Sequence, residues 1–527
     1  MTIEQQLKNL AMKSGMTRRG FMQRALALGA TTALATTWAN KAFAAEPKTG
    51  GRFRVGLGHG ATSDSLDPAT FLDLYMQTVN ASARNNLTEV AQDGSLIPEL
   101  AESYDTADAT TWQFNLRQGV EFHNGKTMDA NDVMASISHH RGDTSKSPAK
   151  ELLKSIVEMK ADGANAVVFT LSEGNADFPF ILSDYHIPIM PVSEHGVDWQ
   201  SGTGTGAYVL ESFEPGVRSL LKRNPNFFKE GFGHFDEVEI ITIADVAART
   251  NALTTGEIDA MDRVDLKTAH LLERQEGVRL VETSGTQHFT FTMRCDTPPF
   301  DNVDVRLALK HAIDREAIVR TILRGHGTLG NDHPISSSNR YHAGGLEQRA
   351  YDPDKAKHHL KQAGMEGLSI DLSAADAAFA GAVDAAVLYK EHAAAAGINI
   401  NVVREPDDGY WSNVWMVKPY CAVYWGGRPT EDWMFSVAYA ADAAWNDSFW
   451  KHDKFNQLLV AARSELDEAT RRSMYEEMQS IVSNDGGVLI PMFANYVMGL
   501  SDKVGHGQMA ANWSMDGFKC AERWWFA

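Results

Sequence analysis

The sequence predicts an α/β protein built as more than one lobe, and three observations lead there. The chain has 527 residues, too many for a single compact core. Segments with strand alternation and segments with helical periodicity take turns along its length. Its 43% hydrophobic and 22% charged content is that of an ordinary folded protein rather than a disordered one.

The elements follow in order. Gly50 to Leu57 alternates and carries a β-branched residue, so it reads as a strand that ends in the turn Ser65-Leu66-Asp67-Pro68. Trp112 to Leu116 alternates as a half-buried strand, and Ala130 to His140 reads as a helix with Asp129 as N-cap. Val209 to Arg223 reads as a hairpin turning at Glu214-Pro215-Gly216. Val238 to Ile243 is a strand and Ala244 to Thr254 a helix. Val303 to Leu323 predicts one long helix, stopped by Arg324-Gly325-His326-Gly327. A further helix runs from Asp352-Pro353-Asp354 to Ala363-Gly364. Asp376 to Ala396 predicts an alanine-rich helix closed by Gly397, before a strand at Ile398 to Val403.

Charge narrows the partners. The net formal charge is −19, and residues 1–44 work against it, with Lys8, Lys13, Arg18, Arg19, Arg24 and Lys41 facing only Glu4. The remaining body is therefore strongly acidic and repels phosphate backbones and anionic lipid, which argues against nucleic acid. Cys295, Cys421 and Cys520 are far apart and form no C-x-x-C motif; one disulfide at most is available to them, and three inert buried thiols serve equally well.

The basic start has the layout of an export signal. Thr17-Arg18-Arg19-Gly20-Phe21-Met22-Gln23 precedes a weakly apolar stretch from Ala25 to Trp38, and Ala42-Phe43-Ala44 supplies small residues for cleavage. The paired arginines resemble a twin-arginine signal. Cleavage after Ala44 would release a chain starting at Ala45 into the periplasm, with no cysteine at the new terminus to carry a lipid.

Several body segments resemble the peptide, opine and nickel class of extracellular solute-binding proteins, family 5. The fullest is Trp112-Gln113-Phe114-Asn115-Leu116-Arg117-Gln118-Gly119-Val120-Glu121-Phe122-His123-Asn124-Gly125-Lys126, leading into Asp129-Ala130-Asn131-Asp132-Val133. Ile97-Pro98-Glu99-Leu100-Ala101, Gly204-Thr205-Gly206-Ala207-Tyr208, Arg223-Asn224-Pro225-Asn226-Phe227-Phe228, Gly256-Glu257-Ile258-Asp259, Val305-Arg306-Leu307-Ala308-Leu309 and Tyr351-Asp352-Pro353-Asp354-Lys355 follow in family order. The resemblance implies a two-lobed periplasmic binding protein fold: lobe one at 45–285 plus 496–527, with an inserted subdomain, and lobe two at 286–495. Hinges are expected near Thr286-Gln287-His288 and Ala494-Asn495-Tyr496. It implies a non-enzymatic, cofactor-free, monomeric receptor that captures a peptide-like or other small polar solute. The receptor would deliver it to the permease and ATPase subunits of an ABC importer, after export by the Tat machinery.

In peptide-binding members a Trp-x-x-Asp segment meets the solute's α-ammonium. Here the matching stretch is Trp425-Gly426-Gly427-Arg428, followed by Asp432 and Trp433. An ammonium about 4 Å from Arg428 would be repelled by the order of 4 kcal/mol at an effective dielectric near 20. The planar guanidinium suits a carboxylate, sulfate or phosphate instead. Trp425, Gly427, Arg428, Asp432 and Trp433 are thus the candidate ligand residues, with Trp425 against the solute's apolar part. Two alternatives stand beside this. Arg428 could pair with Glu431 or Asp432 and shape a loop, or a one-residue slip could put Asp432 in the acid's place. Trp411 and Trp415, spaced i and i+4, read as a packed helix face.

Rival classes find less support. No G-x-S-x-G, H-E-x-x-H or phosphate-loop signature occurs, and Gly202-Thr203-Gly204-Thr205-Gly206 reads as a turn. A metal or haem carrier would need chelating histidines. His139-His140 and His358-His359 are adjacent pairs whose side chains diverge around a helix, and they read as surface residues. A sensory receptor that passes its closed form to a signalling partner has the same sequence features as a transporter.

Overall fold

The computed structural model describes residues 25, 47–142, 145–194 and 196–527. The twin-arginine segment and the Ala44 cleavage site lie outside them. Among the described residues no helix is long and apolar enough to cross a membrane.

Three main sheets organise the molecule. Lobe one is built on seven strands in the order Tyr208–Glu214, Arg218–Arg223, Glu237–Thr242, Arg52–Leu57, Ala260–Met261, Tyr496–Ser501 and Val278–Thr283. Its core gathers Phe53, Val55, Tyr75, Tyr208, Val238, Ile240 and Trp524. A separate four-stranded antiparallel sheet, from Ala101–Thr106 to Ile156–Ala161, carries its own core of Trp112, Phe114, Phe169 and Phe178 and forms the inserted subdomain. Lobe two holds six strands in the order Gly327–Leu329, Val488–Ala494, His288–Met293, Tyr420–Trp425, Ser369–Ala374 and Asn399–Arg404. The chain passes between the large sheets twice, from Thr283 to His288 and from Ala494 back to Tyr496.

Local chemistry explains most boundaries. Asp129 caps the helix Ala130–His139, with Asp132 completing a reciprocal capping box. Pro353 opens Pro353–Ala363 behind the Asp352 cap, and Gly364 closes it at φ 66°. Gly204 and Gly206 lie against the end of the helix Leu74–Ala83, where an added Cβ would fall 2.2 Å from the Ala83 carbonyl oxygen and 2.4 Å from its carbon. The Gly-Thr-Gly run is therefore a packing contact.

The structure corrects four expectations. The stretch 303–323 is two helices, Val303–His311 and Arg315–Ile322, because the Asp314 side chain accepts from Ala317 N–H and starts a new helix. The alanine-rich helix begins only at Ala382, since Asp376 turns back to accept from Gly381 N–H and Ala377 N–H donates to Asp407. Trp411 and Trp415 do not share a helix face, for that helix is only Tyr410–Asn413. His140 is fully buried rather than on the surface; its Nδ1 lies 2.7 Å from Ser147 Oγ, and burial pushes its pKa down to about 3. All three cysteines are free.

Candidate functional site

The site begins where the strand Tyr420–Trp425 ends. Gly426 and Gly427 carry the chain to Arg428, and Thr430 caps the next helix, Glu431–Ala438, by accepting from Trp433 N–H at 3.3 Å. Gly427 is required here. A Cβ on it would lie 1.8 Å from Thr286 Oγ1, because the loop presses against the first crossing segment. The two crossing segments are also bonded to each other, Ala494 N–H donating to Gln287 O at 2.9 Å.

A cavity of about 780 Å³ opens between the lobes beside this contact, within the range of small-solute pockets. Lobe one lends it Tyr104, Trp112 and Asn512, and the crossing segment Ser284 and Thr286. Lobe two lends Ser338, Asn339, Arg340 and Arg428. Arg340 is already paired with Glu468 at 2.6 Å. Arg428 is not paired: among the described residues no carboxylate lies within ion-pair distance of it. Its Nη1 donates to the Gly426 and Gly427 carbonyls at 2.8 and 3.2 Å, and its guanidinium carbon sits 5.9 Å from the centre of the Trp433 ring. Burial lowers its pKa, against the opposing pull of Tyr185, Asp184 and Tyr424.

Of the five candidates, only Arg428 lines this cavity. Gly427 sets the loop against the crossing segment, and half-buried Trp433 lies under the guanidinium. Asp432 turns the other way and accepts from Arg463 at 3.3 Å, while Glu431 accepts from Tyr341 N–H at 2.7 Å. The alternative pairing of Arg428 with Glu431 or Asp432 is therefore absent. Trp425 is buried and donates its indole N–H to Asp447 at 3.2 Å. That carboxylate also takes the indole N–H of Trp415 at 3.1 Å.

Contacts between the lobes bring in residues that the sequence did not single out. Arg471 of lobe two lies 2.7 Å from Asp177 of the subdomain, both buried, and Arg463 reaches Glu173 at 3.5 Å. Ala176 N–H donates to Arg463 O at 2.7 Å. No local signal marks such pairs, whose members are nearly 300 positions apart. Elsewhere Glu89, Glu99 and Glu522 converge closely enough to suggest a metal. Lys229, Lys519 and Arg523 already lie among them, so the cluster is a set of ion pairs.

A family model described as bacterial extracellular solute-binding proteins, family 5 Middle, matches residues 95–447, well over half of the chain. The chain belongs to this family. The family 5 protein is 26% identical over 474 residues to the glutathione-binding protein GsiB of Shigella dysenteriae, a match that covers 87% of this chain and 90% of that one. Its fold is that of the binding protein AgaA, solved with agropinic acid from A. tumefacien R10 (TM-score 0.71, 23% identity, 90% of this chain and 99% of that one). HbpA2 of Haemophilus parasuis is similar as well (TM-score 0.77, 20% identity, 89% and 99%). The protein is thus a two-lobed solute-binding component of an ABC importer; it captures a small solute and delivers it to membrane permease and ATPase subunits. Its relatives are binding proteins rather than enzymes.

Proposed function

We propose that this receptor holds an anionic small solute between its lobes, with Arg428 taking the acidic group. The observation that carries this is the Arg428 guanidinium, which lines the interlobe cavity and, among the described residues, has only main-chain carbonyls as hydrogen-bond acceptors. A solute carboxylate could take the remaining N–H donors as charge-assisted bonds, each stronger than a neutral one. Ser338 and Asn339 of lobe two and Thr286 of the crossing segment add uncharged polar groups. Lobe one is 45–285 with 496–527, lobe two is 286–495, and 284–287 and Asn495 are the hinge on which they close. A solute favours closure only through contacts better made in the closed form, and Arg428 beside Thr286 can provide one. The protein performs no chemistry on its solute, acts as a monomer, and reaches the periplasm through the twin-arginine route after cleavage behind Ala44.

Calorimetric titration of the chain from Ala45 with N-acyl amino acids, opines, sulfonates, glutathione and free-amine dipeptides tests the reading. Glutathione enters because it is the solute in the names of the relatives, and it carries two carboxylates. An acidic member should bind, and Arg428→Ala should weaken it by about tenfold or more. Dipeptide binding that survives Arg428→Ala unchanged would return the site to ordinary peptide capture.

A further inference from the structure

Five aromatic rings meet at the hinge end of the strand Tyr420–Trp425. Trp411 contacts Trp415 and Tyr424 at centroid distances of 5.9 and 5.4 Å, Trp415 meets Trp425 at 6.4 Å, and Trp445 lies 6.2 Å from Trp425. Trp411, Tyr424 and Trp445 remain 40%, 42% and 48% exposed, whereas Trp415 is half-buried and Trp425 is buried. The register fixes the place, because Trp425 pairs with His288, the first strand residue beyond the crossing segment. The cluster therefore sits on the cleft edge of lobe two, outside the cavity that Arg428 lines.

Asp447 lies beneath the rings, 4% exposed, and one of its oxygens receives the indole N–H groups of both half-buried Trp415 and buried Trp425. Among the described residues it forms no ion pair. A carboxylate that accepts from an indole pushes negative charge toward the ring, and the ring face then attracts a cation more strongly. The surface offered to solvent is aromatic, with a negative charge behind it. Asp447 itself is too shielded to receive the N–H donors of a primary ammonium, which would lose water without replacement. A methylated ammonium has no such donors and is weakly hydrated.

We propose that Trp411, Trp415, Tyr424, Trp425 and Trp445 around Asp447 form a binding site for a methylated ammonium group on a small organic cation. The site stands independently of the Arg428 reading; if both are occupied by one molecule, that molecule is a zwitterion.

Tryptophan fluorescence of the chain from Ala45, titrated with choline and with its uncharged isostere 3,3-dimethylbutan-1-ol, is the test. Choline lacks an anionic group, so its binding reports on this site alone, and the acid panel reports separately on Arg428. Saturable quenching by choline is expected, about tenfold tighter than by the isostere and by ethanolamine. Trp445→Leu, at an exposed position that should not disturb folding, should weaken choline by a similar factor, as should Asp447→Asn. Equal affinity for choline and the isostere, no saturable response to choline, or full affinity in Trp445→Leu would each overturn the proposal.

Discussion

Arg471 and Asp177 close a buried ion pair across the two lobes, 2.7 Å apart. Neither charge has bulk water beside it, so each depends on the other. Removing one partner of such a pair typically costs about 3–5 kcal/mol. Asp177→Ala should lower the unfolding midpoint and loosen the contact between the subdomain and lobe two. Small-angle scattering should show a larger radius of gyration for the variant, and an unchanged radius would mean that other contacts hold the lobes together.

Gly427 tests the crossing. Gly427→Ala drives a methyl group into Thr286, and overpacking of this kind costs about 1–3 kcal/mol. Thermal unfolding should show the loss. Thr286→Gly in the same chain should recover part of it, because Thr286 Cβ and Oγ1 are the nearest clashing atoms. Absence of recovery would put the strain in the backbone rather than the side chain.

Glu431 supplies a pH signature. Burial raises its carboxyl from 4.5 to about 7, and Tyr341 N–H opposes that only in part. Between those values the folded chain binds the extra proton, so stability falls as pH rises from about 4.5 to 7. Glu431→Gln keeps the acceptor for Tyr341 and cannot ionise. Its midpoint should fall less across that window than the wild-type midpoint does. Parallel curves would show that Glu431 titrates as an ordinary surface acid.

Lys229 holds Glu99 at 2.6 Å and Glu522 at 2.9 Å and also reaches Glu89. Lys229→Met leaves those acids one cation short and should cost about 3 kcal/mol in denaturant unfolding. Faster hydrogen exchange is expected around Glu522, which joins the end of the chain to this network. Protection equal to wild type would show that Lys519 and Arg523 suffice.

Much of the fold was legible because short-range chemistry dictates it. Asp129, Asp352 and Gly364 act within one helical turn, and the hairpin at Glu214 needs only its own residues. The break at Asp314 was hidden, because apolar spacing continues through Ala312 and Ile313 while the capping side chain restarts the helix. Arg428 was legible as a departure from a motif. The destination of Asp432 was not, since Arg463 comes from a helix 31 positions on. Asp447 escaped notice for a similar reason: a lone acid in Ala444-Trp445-Asn446-Asp447 acquires meaning only when Trp415 and Trp425 fold over it.

The strand Tyr496–Ser501 lies between Ala260–Met261 and Val278–Thr283, so a strand from the last tenth of the chain fills the interior of the first lobe's sheet. A nascent chain can finish lobe two, whose strands are contiguous from His288 to Ala494, while lobe one still has a gap. Ribosomal products cut short before residue 496 would expose two strand edges with nothing to pair. The first lobe's sheet is thus complete only once residues 496–501 are in place, and a chain lacking them cannot present an intact first wall of the cleft.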